Sequence, residues 1–146
     1  MRYTGIKEET DMKDLMKSNI YDVGETVLIV GSCLPAMQPE GFAKLKALTE
    51  HVFELCLEQC HVNMAIPKIG GMLYTGKVRR LIFATVDESP HCVQMHYIQD
   101  ELRRMMDLSQ VTIENYVVAD NAPVRLSPEL ILLSKNLRAL ARSGLA

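Results

Sequence analysis

A parallel α/β domain is the fold class this sequence predicts, on three observations. The chain has 146 residues, enough for one hydrophobic core that needs no cross-links. Short apolar runs alternate with segments of helical periodicity, the pattern of strands joined by helices that cover both faces of a sheet. Four prolines (Pro39, Pro67, Pro90 and Pro128) each follow an apolar run and open a helix-like stretch. Proline suits the first helical position because the N–H it lacks has no partner there, and Ser89 and Ser127 are good N-caps beside two of them.

Taken in order, residues 1–24 are predicted to hold an N-terminal helix, with Met12, Leu15 and Met16 at helical spacing, and its connection to the sheet. Residues 25–146 then give four β-α units of one domain. The strands are expected at Thr26–Gly31 (TVLIVG), 62–66 (VNMAI), 81–86 (LIFATV) and 111–119 (VTIENYVVA). The stripe Leu45, Leu48, Val52, Cys56, Cys60 reads as an amphipathic helix between the first two, its cysteines buried against the sheet. Gly76 reads as a helix stop before the third strand. A parallel strand in the middle of a sheet is buried on both faces and reads as unbroken apolar. TVLIV and LIFATV meet that description, whereas VNMAI carries Asn63 and the last strand carries Thr112, Glu114 and Asn115. With right-handed crossovers this gives a three-layer Rossmann-like architecture with a mainly parallel, four-stranded sheet in the flavodoxin-like order 2-1-3-4.

Composition removes several function classes. Sixteen Lys and Arg against eighteen Asp and Glu leave a net charge of -2, and aromatic residues are 5% with no Trp. Phosphate-backbone binding needs a concentrated basic face and base stacking needs aromatics, so nucleic acid is not an expected partner. No apolar run approaches the roughly 20 residues of a membrane span, and the charged start MRYTGIKEETDM is unlike a secretory signal. Four cysteines without such a signal predict free or ligated thiols in a reducing cytoplasm. The nine methionines fall largely on apolar stripes and serve as gap fillers. GMLYTGKV, from Gly71, approaches a phosphate loop but places Val78 where a magnesium-binding hydroxyl is required, and it precedes a strand where the motif needs a helix.

In an open parallel sheet, ligands bind beyond the carboxyl ends of the strands where strand order reverses. For order 2-1-3-4 that point lies between the first and third strands. The loops meeting there are GSCLP, with Ser32 and Cys33, and DESPHC, with Asp87, Ser89, His91 and Cys92. Asp120 and Asn121 after the last strand, and Lys68 after the second, are the neighbouring polar groups. Two cysteines distant in sequence thus converge on one crevice. Cys92 is the expected primary thiol, Cys33 its partner, and His91 a proton donor or acceptor. Ser32, Ser89, Asp87, Asp120 and Asn121 are candidates to hold a small anionic ligand or cofactor. His96, one helical turn from Cys92, makes a third candidate metal ligand with Cys33 and Cys92. A cysteine alone at such a position is more often a small buried hydrophobe, and it is the convergence of two that puts a role on an equal footing with burial.

The sequence therefore predicts a small redox, sulfur-handling or metallocofactor-associated protein, without naming a cofactor or deciding whether it is an enzyme. The alternative is a noncatalytic ligand-sensing or assembly subunit, with a homodimer contact through Val93, Tyr97 and the leucine-rich last helix (Leu130, Leu133, Leu137, Leu140).

Overall fold

The computed structural model describes residues 12–145. Its centre is a six-stranded sheet among those residues: β1 Lys13–Asp14, β2 Thr26–Gly31, β3 Val52–Leu55, β4 Arg80–Val86, β5 Thr112–Ala119 and β6 Ala122–Leu126, in the spatial order β1-β3-β2-β4-β5-β6. All neighbours are parallel except β5 and β6, which form a hairpin. The four inner strands β3-β2-β4-β5 follow the expected reversal of order, with β2 and β4 at the centre.

Period-two burial on these strands makes two cores. Val27, Ile29, Leu81 and Phe83 face one side, where α3 (Val62–Tyr74) and α4 (Ile98–Met105) lie. Leu28, Val30, Ile82 and Ala84 face the other, under α1 (Leu34–Met37) and α2 (Pro39–Lys46). The last helices, α5 (Pro128–Ser134) and α6 (Leu137–Leu140), follow β6, and Ile131 of α5 borders a hollow shared with Gln99 and Arg103 of α4.

The strand expected at 62–66 is the first part of helix α3. Ala65, Ile69, Met72 and Leu73 are its buried side chains, at helical spacing. Pro67 lies inside this helix rather than at its start; burial of those four side chains offsets a proline cost of about 3 kcal/mol. The true second strand is VFEL, from Val52, which had read as the continuation of the preceding helix. α2 ends at Lys46, and the Thr49 hydroxyl turns the chain by donating to the Thr26 carbonyl at 2.6 Å and accepting from the His51 amide at 3.0 Å. Cys56 and Cys60 are therefore not on a helix: they follow β3, at the carboxyl edge of the sheet.

The expected N-terminal helix is also replaced. Its beginning lies outside the described residues, and from Met12 onward the chain adds the edge strand β1, after which the Leu15 N–H donates a hydrogen bond to the Glu54 carbonyl. The sixth strand was hidden by its turn. Asp120 (φ 51°) and Asn121 (φ 57°) are both left-handed, the two-residue hairpin geometry that Asn and Asp tolerate. The expected last helix is broken at Lys135 and Asn136; Leu130 and Leu137 are exposed, and Ile131 is buried. Gly76, with φ 78°, does terminate α3.

Candidate functional site

The turns leaving β2 and β4 meet above the centre of the sheet. Cys33 follows β2 and Cys92 follows β4, 59 residues apart in sequence, and their Sγ atoms are 3.8 Å apart. Gly31, the last residue of β2, makes the approach possible: a Cβ built there would stand 2.9 Å from Cys92 Sγ, inside contact distance. The Ser89 hydroxyl accepts the Cys92 amide at 3.3 Å, and the Ser89 carbonyl accepts the Val93 amide at 3.3 Å, which holds the turn as its sequence suggests. Cys92 is 7% exposed and Cys33 is half-buried, so Cys33 is the thiol nearer solvent. Burial, then the charge and the thiol contact of Cys92, push the Cys33 thiol up to about 11.

Cys56 and Cys60 belong to the same edge. Gly31 is the register partner of Leu55, and the Ser32 amide donates to the Leu55 carbonyl at 3.2 Å, so Cys33 and Cys56 leave adjacent strand ends. Ser32, Cys56 and Cys60 line a hollow of about 160 Å³ together with Asp14, Glu54 and Lys17. Burial, with the neighbouring charges of Cys56 and Asp14, raises the Cys60 thiol as well. Sequence reasoning missed these two cysteines because it placed them on a helix.

The other expected site residues are distributed differently. His91 is exposed, its Nδ1 3.8 Å from Glu58 Oε2, and among the described residues no hydrogen bond joins it to either sulfur. Asp87, Ser89, Pro90, Val93 and Thr85 border an open hollow of about 420 Å³ beside β4. Asn121 is engaged within the fold: its Oδ1 accepts the Glu40 amide at 3.1 Å and the Gly41 amide at 3.4 Å, its backbone N–H donates to Gln38 Oε1 at 2.7 Å, and it thereby caps α2. Asp120, its partner in the turn, is exposed. Lys68 lies in mid-α3 beside a separate hollow under Ile20 and Tyr21.

His96 does not stand beside Cys92, nor at the surface. Residues Cys92–Tyr97 form a 3₁₀ helix, in which positions four apart diverge by roughly 120° rather than the roughly 40° of an α-helix. The ring is 2% exposed and lies among Thr85, Gln99 and Asn115, all buried. The bonding fixes its chemical state. Gln99 Nε2 must donate to the His96 carbonyl (2.9 Å) and therefore also donates to Asn115 Oδ1 (3.1 Å), while Gln99 Oε1 accepts from Arg103 (3.2 Å). Asn115 Oδ1 being an acceptor, His96 Nδ1 carries the proton it receives at 2.9 Å. Burial lowers the His96 pKa and keeps the ring neutral, leaving Nε2 to accept from the Thr85 hydroxyl at 2.8 Å. Both nitrogens are committed, so no lone pair is left for a metal.

Tyr97, expected at a subunit contact, is half-buried within its own chain: its hydroxyl meets Ser134 Oγ at 2.9 Å, and Lys135, which also pairs with Asp100, lies 5.4 Å from the ring centre. Val93 remains exposed.

The class these features define is an open, mostly parallel α/β domain whose strand-order reversal is lined by sulfur. A family model for a Rossmann-like domain matches residues 23–143, and the chain belongs to that family. No curated protein and no solved structure matches it. No helix among the described residues is long and apolar enough to cross a membrane.

Proposed function

We propose that this is a thiol redox protein of a reducing, cytoplasmic setting, working through Cys33 and Cys92 as a dithiol–disulfide couple. The 3.8 Å contact between two sulfurs from distant loops, at the point where parallel α/β sheets bind ligands, is the observation that carries the reading. Cys33, the outer thiol, loses its proton and attacks a disulfide R–S–S–R, giving Cys33–S–S–R and RS⁻, which takes that proton. Cys92 loses its proton, attacks Cys33 Sγ and expels the second RS⁻. One disulfide forms, one is reduced, and two R–SH leave.

A thiol held up to about 11 is protonated at neutral pH, so the first step is slow there. Its rate rises about tenfold per pH unit and levels near that value. The test is equilibration in buffers of graded oxidised and reduced glutathione with counting of free thiols. Two thiols disappearing together, in one two-electron transition, is the expected result. Loss of one thiol at a time, with glutathione remaining attached, contradicts the couple.

One observation favours a second reading, an assembly subunit. Leu130, Leu132 and Leu137 on the last helices are exposed by 53%, 64% and 76%, in a chain whose other leucines are largely buried. Sedimentation of the purified chain decides it: a dimer that Leu132→Lys dissociates supports assembly, and a monomer across the working concentration range removes it.

A further inference from the structure

A disulfide between Cys33 and Cys92 is open to solvent at its Cys33 end, because Cys33 is half-buried and Cys92 is 7% exposed. A thiol arriving from solvent therefore attacks Cys33 Sγ, and the Cys92 sulfur is the one displaced. It stays beside the sulfur it has left. In the reduced chain the two Sγ atoms stand 3.8 Å apart, and among the described residues no other side chain hydrogen-bonds either of them. With no Lys, Arg or His partner the displaced Cys92 is not held as a thiolate, and burial makes it a poor leaving group. The Ser89 hydroxyl, accepting the Cys92 amide at 3.3 Å, keeps the turn that carries it in place.

We propose that the oxidised pair is returned to its dithiol by a reductant carrying two neighbouring thiols in one molecule, and not by glutathione or any other monothiol. The inference rests on the reading of Cys33 and Cys92 as a redox couple and names the partner that completes its cycle.

The first thiol of the reductant, R(SH)₂, loses its proton and attacks Cys33 Sγ. The Cys33–Cys92 bond breaks, a bond from R to Cys33 forms, and the Cys92 sulfur takes up the proton. Two reactions then compete. In one, Cys92 attacks Cys33 Sγ again and expels R, which restores the disulfide. In the other, the second thiol of R attacks the R sulfur bonded to Cys33, closes a cyclic disulfide and expels Cys33, which takes the released proton. R is then oxidised by two electrons and the protein reduced by two. Both reactions are intramolecular, so the second keeps pace with the first. A monothiol has no second thiol, and its adduct must await another molecule from millimolar solution. Re-closure across 3.8 Å corresponds to an effective concentration far above that. The fold is the cause: in the unfolded chain the two cysteines are 59 residues apart on a flexible tether, for which the effective concentration is itself only about millimolar.

The test uses the full chain, oxidised to the Cys33–Cys92 disulfide, with Cys56 and Cys60 then blocked by N-ethylmaleimide. The probes are 2-mercaptoethanol and dithiothreitol, both small and uncharged, and mass spectrometry of alkylated peptides reads the release of Cys33 and Cys92. At equal millimolar thiol, dithiothreitol is expected to reduce the folded chain at least about 100-fold faster. Its rate rises linearly with concentration, whereas the 2-mercaptoethanol rate rises with the square, because the first adduct reverts unless a second molecule arrives. In urea the preference falls below about tenfold. In Cys92→Ser the 2-mercaptoethanol adduct on Cys33 has no neighbouring thiol to displace it, and both reagents remove it at rates within about threefold of each other. Linear and similar rates with both reagents in the folded chain overturn the inference and leave the couple intact. A preference as large in urea as in the fold, or a disulfide that neither reagent reduces, overturns it as well. A chain that forms no Cys33–Cys92 disulfide in the glutathione titration removes the couple, and the inference with it.

Discussion

Cys92 and His96 lie four residues apart on one helical stretch, yet their surroundings are opposite. Both ring nitrogens of His96 are paired inside the fold, whereas the Cys92 sulfur has a single polar neighbour among the described residues, another thiol. A buried polar group with all partners in place stabilises a fold and does little else. Two thiols that meet only each other at a strand-order reversal add little to stability, and their proximity is chemically usable. The contrast separates the part of this molecule that specifies the sheet from the part offered to a ligand.

The contrast breaks most visibly at Asn115. Asn115→Leu leaves the His96 Nδ1–H and a Gln99 N–H buried without an acceptor, and a loss of about 3 to 5 kcal/mol is expected in urea denaturation. Alkylation of Cys33 in the folded variant should stay at the wild-type rate. Gly31→Ala acts on the other region. Its methyl group meets Cys92 Sγ at 2.9 Å, so a loss of about 1 to 3 kcal/mol and slower Cys33–Cys92 disulfide formation are expected from denaturation and thiol counting.

The histidine network also predicts a pH dependence. His96 has a lowered pKa in the fold against 6.5 for the free group, so the unfolded chain takes up the proton first as pH falls. Its contribution is whole above about pH 6.5 and declines below it, by at most about 1.4 kcal/mol per pH unit. Stability measured across that range should show the slope, and His96→Gln should flatten it. The smallest effect on folding belongs to the site itself. Cys33→Ser is expected to change stability by less than about 1 kcal/mol, because the residue is half-buried, and to abolish the disulfide.

The central strands were legible because TVLIV and LIFATV are apolar on both faces, which only a buried parallel strand requires. From them follow the reversal point and the meeting of Cys33 with Cys92. β3 was not legible. Val52 falls in phase with Leu45 and Leu48 of the helical stripe before it, and a run of four residues has no periodicity of its own. That one misplacement moved Cys56 and Cys60 away from the edge they occupy. Asp120-Asn121 did carry a hairpin signal, two residues tolerant of left-handed backbone between apolar runs, and it was read instead as a binding loop. His96 was misplaced because α-helical geometry was assumed for a 3₁₀ stretch, where the same spacing points elsewhere.

The most direct measurement is peptide mapping of the chain after oxidation with glutathione disulfide under native conditions. A single intramolecular bridge joining the peptides of Cys33 and Cys92, with Cys56 and Cys60 still free, is the predicted result. Stable glutathione adducts on Cys33, or bridges that avoid Cys92, would contradict the claim that the turns after β2 and β4 form one working thiol pair.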